Sequence, residues 1–533
     1  MSMIKACVFL FIFSTTVFSQ QNKKWGDQDD GSYFNPVIPA DYSDIDAIRV
    51  GKDYYAISST FQFSPGVIIL HSKDLVNWRI IGHVTNDLTC ISPKLNWDKM
   101  DRYGKGIWAG AIRYHDKKFW IYFGTPDEGF FMSTAKNPAG PWEPLHKIWG
   151  VTGWDDCCPF WDDNGQGYFI ATHFKNDYKI HLFKMSDDGR QLLMESDSVI
   201  HQSEGSEANK LYKFNGMYYH FFSEVKPEGR VTMMERSKNI YGPYESKQLN
   251  HVDPATDKEP NQGGLIQVES GDWWFFTHQG TGSWEGRAAC LLPVTWINGW
   301  PIIGKVGADT IGNMVWTYKK PVATSTMVNL QADDEFNRPS LSVQWEWNYQ
   351  PRKNKWSLTE RKGFLRLHAF VPVKIIDTRD KRLPLYRAGN TLTQRSMRTA
   401  ENKVIIKIEI AGMADGQFAG LCHFSATYSS IGIKQDNGNR FLVYDNNGQE
   451  LQGRQITQST IWLQSAWDWD GKSRYAYSLD GKKFVEFGNT YQLSWGFYRC
   501  DRTGIFNYNY INEKGFIDVD WFHYSYASGK KNY

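Results

Sequence analysis

Residues 46–57 read DAIRVGKDYYAI: a β-forming run, a polar turn and an aromatic pair that opens a second β-forming run. A polar turn between two such runs indicates a β-hairpin. The plan occurs five times, with aromatic pairs that begin at Tyr54, Phe119, Tyr168, Tyr218 and Trp273, at steps of 65, 49, 50 and 55 residues. This period suits one four-stranded propeller blade per repeat. We therefore predict a five-bladed β-propeller rather than a sandwich of unrelated hairpins.

The repeat stops after Trp316, and a second series of strands begins at Asp333. Strands are predicted at 364–367, 404–410, 441–444, 475–478 and 516–522, with hairpin turns at 436–439 and 480–483. About 195 residues of this kind suit a two-sheet β-sandwich. The fold class is therefore predicted as all-β, a five-bladed propeller followed by a β-sandwich. The predicted domain bounds are 25–318 for the propeller, 319–332 for a linker and 333–528 for the sandwich.

Composition and charge exclude several classes of protein. The 533 residues carry a net charge of +2, which argues against nucleic acid as the main partner. The chain holds 23 Trp, 28 Tyr and 32 Phe. A chain so rich in aromatic, β-forming residues is neither disordered nor a helical bundle, and it offers planar surfaces for stacking.

The first residues have the pattern of an export signal. Lys5 gives a positive start, residues 6–13 are apolar, and residues 17–19 include a small residue at the cleavage position. We predict a signal peptide at 1–19 and a periplasmic or secreted protein; a buried N-terminal strand is the alternative. No other apolar stretch approaches the roughly 20 residues of a membrane span, so none is predicted.

Repeats of a propeller superpose, so equivalent positions gather around one axis. Counting back ten to twelve residues from each aromatic pair gives Asp44, Trp108, Asp156, Glu207 and Gln262. Three acids at the mouth of one funnel repel each other, so their pKa values must separate. One protonated acid and one ionised base are what glycoside hydrolysis requires. Taken singly, each acid could equally be a solvated loop residue.

Neighbouring acids leave the assignment open on spacing alone. Asp46 lies two residues after Asp44, Asp155 adjoins Asp156, and Glu204 precedes Glu207 by three.

The first repeat contains NPVIPADYSDIDAIRVG at 35–51, SPG at 64–66 and HSKDLVNW at 71–78. The third and fourth repeats contain CPFWDDNG at 158–165 and EANKLYK at 207–213. Together these stretches resemble glycoside hydrolase family 43. The resemblance implies a base at Asp44, an Asp at 156 that tunes the pKa of the acid, and the acid at Glu207. The sequence has Asp-Ile where the family usually has Asp-Pro, and Ala-Asn-Lys replaces Gly-Pro-His after the acid.

The same resemblance implies further pocket residues. Phe61 and Trp108 match walls that stack on the sugar, although either could be a core residue. Arg287 matches an arginine that hydrogen-bonds the substrate, although an isolated Arg is more often a surface ion pair. His278 matches a histidine low in the central channel, sometimes near a bound cation, although a satisfied core histidine has the same pattern.

The second domain resembles the concanavalin-like sandwich of β-xylosidase and arabinofuranosidase members, through segments such as DEF at 334–336 and DVDWF at 518–522. In relatives this domain can lend a loop to the pocket rim and can hold a structural Ca²⁺. Asp520 is a weak candidate ligand for such an ion, since a strand-end Asp is more often solvated. The implied chemistry requires no cofactor.

The sequence therefore predicts an inverting exo-glycoside hydrolase that releases terminal α-L-arabinofuranosyl or β-D-xylosyl residues. The expected substrates are plant hemicelluloses (xylan, arabinoxylan, xyloglucan) or their oligosaccharides. The two pentoses present similar surfaces, and the sequence does not choose between them. Two alternatives stay open: a non-catalytic carbohydrate-binding propeller, and a fructan-processing five-bladed propeller enzyme with a retaining Asp nucleophile.

Overall fold

A computed structural model describes residues 25–252, 260–279, 283–323, 328, 333–374 and 384–527. The predicted signal peptide and most of the predicted linker lie outside these residues. The described chain is almost entirely β-structure, with only short 3-10 turns at Leu88–Cys90, Pro93–Leu95, Lys353–Lys355 and Pro384–Arg387. No helix in these ranges is long and apolar enough to span a membrane.

The first domain consists of five antiparallel sheets arranged as propeller blades, as the repeat predicts. The strands of each blade are given from the axis outward. Blade 1 contains Asp46–Val50, Asp53–Ser58, Gly66–Ser72 and Trp78–Thr85, and blade 2 contains Gly110–His115, Lys118–Thr125, Gly129–Ala135 and His146–Trp149. Blade 3 contains Asp155–Trp161, Gly167–His173, Lys179–Met185 and Leu192–Gln202, and blade 4 contains Glu207–Phe214, Met217–Lys226, Gly229–Ser237 and Glu245–Gln248.

Blade 5 closes the ring with a strand from the start of the chain. Its strands are Pro260–Gln267, Trp273–Gln279 and Ala288–Ile297, and the last of these pairs with both Ile38–Asp41 and Trp300–Ile303. All five predicted turns connect the two innermost strands of a blade. The polar turn residues therefore lie at one end of the axis, and the starts of the inner strands lie at the other.

The second domain is a sandwich of two eight-stranded antiparallel sheets. In spatial order, the first sheet contains Gln449–Gln455, Asn439–Asn446, Tyr428–Asp436, Gln417–Phe424, Arg502–Asn509, Leu392–Arg395, Glu346–Asn348 and Phe63–Ser64. The second contains Trp356–Ser357, Leu365–His368, Phe516–Ala527, Glu401–Glu409, Thr460–Asp468, Lys472–Ser478 and Val485–Glu486, with Tyr491–Gln492 paired to Lys472–Ser478. Both predicted hairpin turns connect neighbouring strands.

The two domains are joined by a shared sheet, next to a buried ionic network of the sandwich. Phe63–Ser64 of the propeller pairs with Glu346–Asn348 of the sandwich. Glu346 is fully buried; Arg395 donates to one of its oxygens at 3.0 Å and Arg502 donates to the other. The Arg502 guanidinium also lies 3.9 Å from the centre of the Phe63 ring, so the network contacts the propeller at the shared sheet.

Candidate active site

A cavity of about 190 Å³ opens at the end of the propeller where the inner strands begin. Its walls come from four of the blades, the segment before blade 2 and one loop of the sandwich. The lining residues are Asp44, Phe61, Trp108, Asp155, Asp156, Thr172, Phe174, Tyr178, Glu207, Gln262, Arg287 and Tyr498. Six of the seven predicted site residues therefore meet in one cavity, and His278 does not line it.

Asp44 lies just before the inner strand of blade 1, with a left-handed backbone conformation (φ 57°). Its carboxylate is nearly buried, and both oxygens accept hydrogen bonds. Ser59 Oγ donates to Oδ2 at 2.6 Å, and Arg287 Nη1 donates to Oδ1 at 2.7 Å. These two donors hold the carboxylate at the cavity wall in one orientation.

The structure separates Asp44 from Asp46. The Asp46 side chain is fully buried, and its Oδ2 accepts from the backbone N–H of Ile112 at 2.9 Å and from Arg113 at 2.6 Å. It therefore serves as the partner of a buried arginine between blades 1 and 2, away from the cavity.

The inner strands of blades 3, 4 and 5 begin with the same β-bulge. A register shift against the neighbouring strand lies between Asp155 and Cys158 in blade 3, between Glu207 and Lys210 in blade 4, and between Pro260 and Gly263 in blade 5. Blade 1 shows the same offset, since Ser59 N bonds to Ser43 O while Asp46 pairs with Ile57. The bulge turns the strand starts toward the axis.

This register corrects the prediction of three acids at one repeat position. Asp44 and Asp156 are equivalent, and both have positive φ (57° and 53°). Glu207 lies one residue earlier in the repeat, at the position of Ser43 in blade 1 and Asp155 in blade 3. Counting ten to twelve residues back from the aromatic pairs missed this offset because the turns between the two inner strands differ in length: Trp161 pairs with Gly167 in blade 3, whereas Phe214 pairs with Met217 in blade 4.

Asp155 and Asp156 both reach the cavity. Gln262 Nε2 donates to Asp156 Oδ1 at 2.5 Å. Burial, followed by the charge of Glu207, raises the pKa of Asp156 from 3.8 to about 7. Burial and the charge of Asp156 raise the pKa of Asp155 well above its ordinary value, which favours its neutral form.

Glu207 is the most accessible of the three predicted catalytic acids, with 27% of its side chain exposed. Arg230 Nη1 lies 3.3 Å from its Oε1. Glu204, the neighbour that spacing could not exclude, is exposed and does not line the cavity. Glu207 is thus the carboxyl of this segment that can reach a bound ligand.

Aromatic rings form the rim. Phe61 is almost completely buried, whereas Trp108 is partly exposed and lies 6.1 Å from Phe174 and 6.0 Å from Tyr498, ring centre to ring centre. Tyr498 belongs to the sandwich and also lies 5.8 Å from the Arg287 guanidinium. Sequence reasoning missed Phe174, Tyr178 and Tyr498. Tyr498 could not be placed because its position at the cavity depends on how the sandwich docks against the propeller.

His278 lies behind the cavity wall instead of lining it. It is fully buried; its Nδ1 is 2.6 Å from the backbone oxygen of Gln279, and its Nε2 is 3.9 Å from Asp44 Oδ1. Burial, followed by the charge of Arg287, lowers the pKa of His278 to about 4. The ring is therefore neutral near pH 7 and lies behind Asp44; its direct contact with substrate stays a prediction.

The surroundings of Asp520 do not fit Ca²⁺. Its carboxylate forms an ion pair with Lys407 at 2.6 Å, so a cation already neutralises it. Within the described ranges, no group of three His, Cys, Asp or Glu side chains converges as metal ligands would. Ca²⁺ takes six to eight oxygen ligands, and Asp520 is accordingly not assigned to it.

The arrangement supplies an acid–base pair around one small ligand site. Burial, followed by the charge of Glu207, favours the protonated form of Asp156 up to about pH 7, so a proton is held beside Glu207. Asp44 offers a carboxylate oriented by two donors. Such a set can protonate one oxygen of a ligand and deprotonate a water molecule.

Comparisons with known proteins cover both domains. Residues 33–301 match the model of glycosyl hydrolases family 43, and residues 333–525 match the β-xylosidase C-terminal concanavalin A-like domain. A β-xylosidase of Formosa agariphila is 36% identical over 97% of this chain and 94% of its own. A non-reducing end α-L-arabinofuranosidase of Bacteroides ovatus is 32% identical over 63% of this chain and 65% of its own.

Among solved structures, a bifunctional GH43-CE protein of Bacteroides eggerthii has a TM-score of 0.82 at 28% identity. The match covers 93% of this chain and 64% of that longer chain.

Proposed function

The chain belongs to glycosyl hydrolases family 43, and on this premise we propose that it is an inverting, exo-acting hydrolase of terminal β-D-xylosyl or α-L-arabinofuranosyl residues. Its proposed substrates are plant hemicelluloses (xylan, arabinoxylan or xyloglucan) and their oligosaccharides.

One observation carries the proposal: carboxyls from three different blades converge on a single cavity. In the proposed reaction Glu207 donates a proton to the leaving oxygen as the glycosidic bond breaks. Asp44 accepts a proton from a water molecule that attacks the anomeric carbon from the opposite face. Asp156 lies beside Glu207, and a negative charge on Asp156 favours the protonated form of the acid.

The size and walls of the cavity support exo-action. A volume of about 190 Å³ suits one sugar ring and a water molecule better than a polysaccharide chain. Trp108 and Tyr498 line its rim, where a second sugar unit would leave. Partly exposed aromatic rings of this kind stack on the apolar faces of sugars.

The relatives support a xyloside as the first substrate to test. The Formosa protein, which matches nearly the whole chain, is named a β-xylosidase, whereas the arabinofuranosidase match covers less of both proteins. We retain both pentoses in the proposal. Acid and base are both carboxyls, so the proposed chemistry calls for no redox or metal cofactor, and we propose export through residues 1–19.

The test is a panel of aryl glycosides given to the purified full chain, with Asp44→Asn as the inactive control. Release of phenol from a β-D-xyloside or α-L-arabinofuranoside is expected. Proton NMR of the first-formed sugar should show the inverted anomer before mutarotation. Fructan hydrolysis with retention would favour the fructan-processing alternative, and binding of pentosides without hydrolysis would favour a carbohydrate-binding protein.

A further inference from the structure

Asn209 is a fully buried residue in the bulge of blade 4, two residues after Glu207. It belongs to the Ala-Asn-Lys stretch that stands where the resemblance leads us to expect Gly-Pro-His. A proline side chain offers no hydrogen-bonding group, whereas the asparagine amide offers two N–H donors and one oxygen acceptor. The contacts of Asn209 therefore show what this departure adds to the site.

The Asn209 amide reaches from blade 4 to blade 3. Its Nδ2 donates to the backbone oxygen of Asp156 at 2.9 Å and to Thr172 Oγ1 at 2.8 Å. A carbonyl oxygen only accepts hydrogen bonds, so the amide nitrogen must face Asp156. Thr172 Oγ1 itself donates to Ser206 O at 3.2 Å, and it is thereby free to accept from Asn209. These partners fix the orientation of the amide.

The contact supports Asp156 at a point where its own sheet is interrupted. The strand ladder of blade 3 is broken between Asp155 and Cys158, and Asp156 has a left-handed backbone conformation (φ 53°). A residue other than glycine keeps such a conformation only where its surroundings hold it there. The hydrogen bond from Asn209 to the Asp156 carbonyl provides such support from the neighbouring blade.

Two amides hold opposite ends of Asp156. The register shift ends at Lys210 in blade 4 and at Gly263 in blade 5. Asn209 and Gln262 immediately precede these residues, so they occupy the same repeat position. Gln262 Nε2 donates to the carboxylate of Asp156, and Asn209 Nδ2 donates to its backbone oxygen. Blades 4 and 5 therefore fix both the side chain and the backbone of this residue.

A buried histidine and a buried carboxylate hold the Asn209 amide from behind. His220 Nε2 lies 2.9 Å from Asn209 Oδ1, and because this oxygen only accepts, Nε2 carries a proton. His220 Nδ1 lies 3.3 Å from Glu235 Oε2, and Glu235 Oε1 lies 2.6 Å from His201 Nδ1. His220 is fully buried and Glu235 nearly so. The contacts thus lead from the third strand of blade 4 to Asp156 at the cavity wall.

We propose that Asn209 is a positioning residue of the active site, which fixes Asp156 beside the acid Glu207. His220 and Glu235 hold Asn209 in the orientation that this role requires. Asn209 and Glu207 belong to one bulge, so the link ties the acid and its neighbour to the same short segment. The kinetic consequence rests on the proposed function: without the link Asp156 moves relative to the acid, and protonation of the leaving oxygen becomes less efficient.

The first experiment measures kcat and KM of full-length Asn209→Ala and His220→Phe on two pentosides, one with a poor leaving group and one with dinitrophenolate. Phenylalanine keeps a ring at position 220, which lies 5.0 Å from the Phe222 ring centre, but removes the donor to Asn209. On the poor leaving group kcat should fall about 10- to 100-fold, because a misplaced acid protonates it inefficiently. KM, and kcat on the dinitrophenyl substrate, should change much less.

His181→Phe is the matched control. His181 is also buried and contacts a carboxylate, Asp197 Oδ1 at 2.7 Å, but this contact leads to the outermost strand of blade 3. Any loss of activity in this variant should be the same on both substrates. His220→Gln, whose amide can still donate to Asn209, should retain more activity than His220→Phe.

Three kinetic results would overturn the inference. They are equal losses on the two substrates in Asn209→Ala, wild-type kcat in His220→Phe, and a loss confined to the poor leaving group in His181→Phe.

The second experiment needs no substrate. Hydrogen–deuterium exchange, followed by mass spectrometry of peptides that cover residues 155–158, compares the variants with the wild type. Loss of the Asn209 link loosens the bulge, so exchange should be faster in Asn209→Ala and His220→Phe and unchanged in His181→Phe. If the wild type hydrolyses neither pentoside, the proposed function fails and this measurement decides the inference alone. Unchanged exchange in Asn209→Ala and His220→Phe would then overturn it.

Discussion

Replacement of Asp156 by Asn removes a negative charge next to the proposed acid and nearly preserves the shape of the side chain. A charge close to a carboxyl shifts its pKa by about 1–3 units, so loss of the Asp156 charge should move the alkaline limb of the pH profile by a similar amount. The rise in the pKa of Asp156 from 3.8 to about 7 is larger, because burial adds to the repulsion by Glu207.

The wild type should therefore lose activity as pH rises through about 7, when the last proton leaves the Asp156–Glu207 pair. In Asp156→Asn no second carboxylate holds the proton, and the alkaline limb should move to lower pH by about 1–3 units. The assay is kcat/KM against pH on an aryl pentoside with a poor leaving group, since such a substrate requires protonation.

Asp155→Asn is the control for this prediction. The pKa of Asp155 is raised well above its ordinary value, which favours the neutral carboxyl that an amide resembles. Its alkaline limb should stay at the wild-type position. An unmoved limb in Asp156→Asn, or a shifted limb in Asp155→Asn, would refute the reasoning and transfer the role to the neighbour.

Three further predictions concern other parts of the molecule. Asp44→Asn should lose at least about 10³-fold in kcat on every substrate, since no other group can deprotonate the water; activity lost instead in Asp46→Asn would contradict the register. Tyr498→Ala should raise KM about 2- to 10-fold with a smaller effect on kcat, as expected for a lost stacking ring; an unchanged KM would remove the sandwich from substrate binding. Glu346→Met leaves two buried arginines unpaired and should lower the free energy of unfolding by about 3–5 kcal/mol, measured by urea denaturation; wild-type stability would contradict the role of the network.

The propeller was predictable because each blade repeats one local pattern, a polar turn followed by an aromatic pair. These turns depend on neighbouring residues alone, and all five connect the expected strands. The bulges were not predictable, since a bulge reflects how the strand meets the axis. The one-residue offset of Glu207 from Asp156 was missed for another reason, since the turns that the count crossed differ in length between blades 3 and 4.

The residues of the cavity also divide into those that the sequence predicts and those that it does not. Asp44, Glu207 and Arg287 were found through short motifs that stay close in the chain. Tyr498 was missed because it reaches the cavity only when the sandwich docks. That docking depends on contacts between distant segments, such as Asp501 N–H to Trp284 O at 2.9 Å and the pairing of Ser64 with Trp347.

The proposed acid is tested most directly by Glu207→Gln on two substrates that differ only in the leaving group. A natural sugar leaving group must be protonated as the bond breaks, so hydrolysis of xylobiose or arabinoxylan oligosaccharides should be nearly abolished. A dinitrophenolate leaves without a proton, so the same variant should keep much of its kcat on a dinitrophenyl pentoside. Equal losses on both substrates, or selective rescue in Glu204→Gln instead, would contradict the assignment.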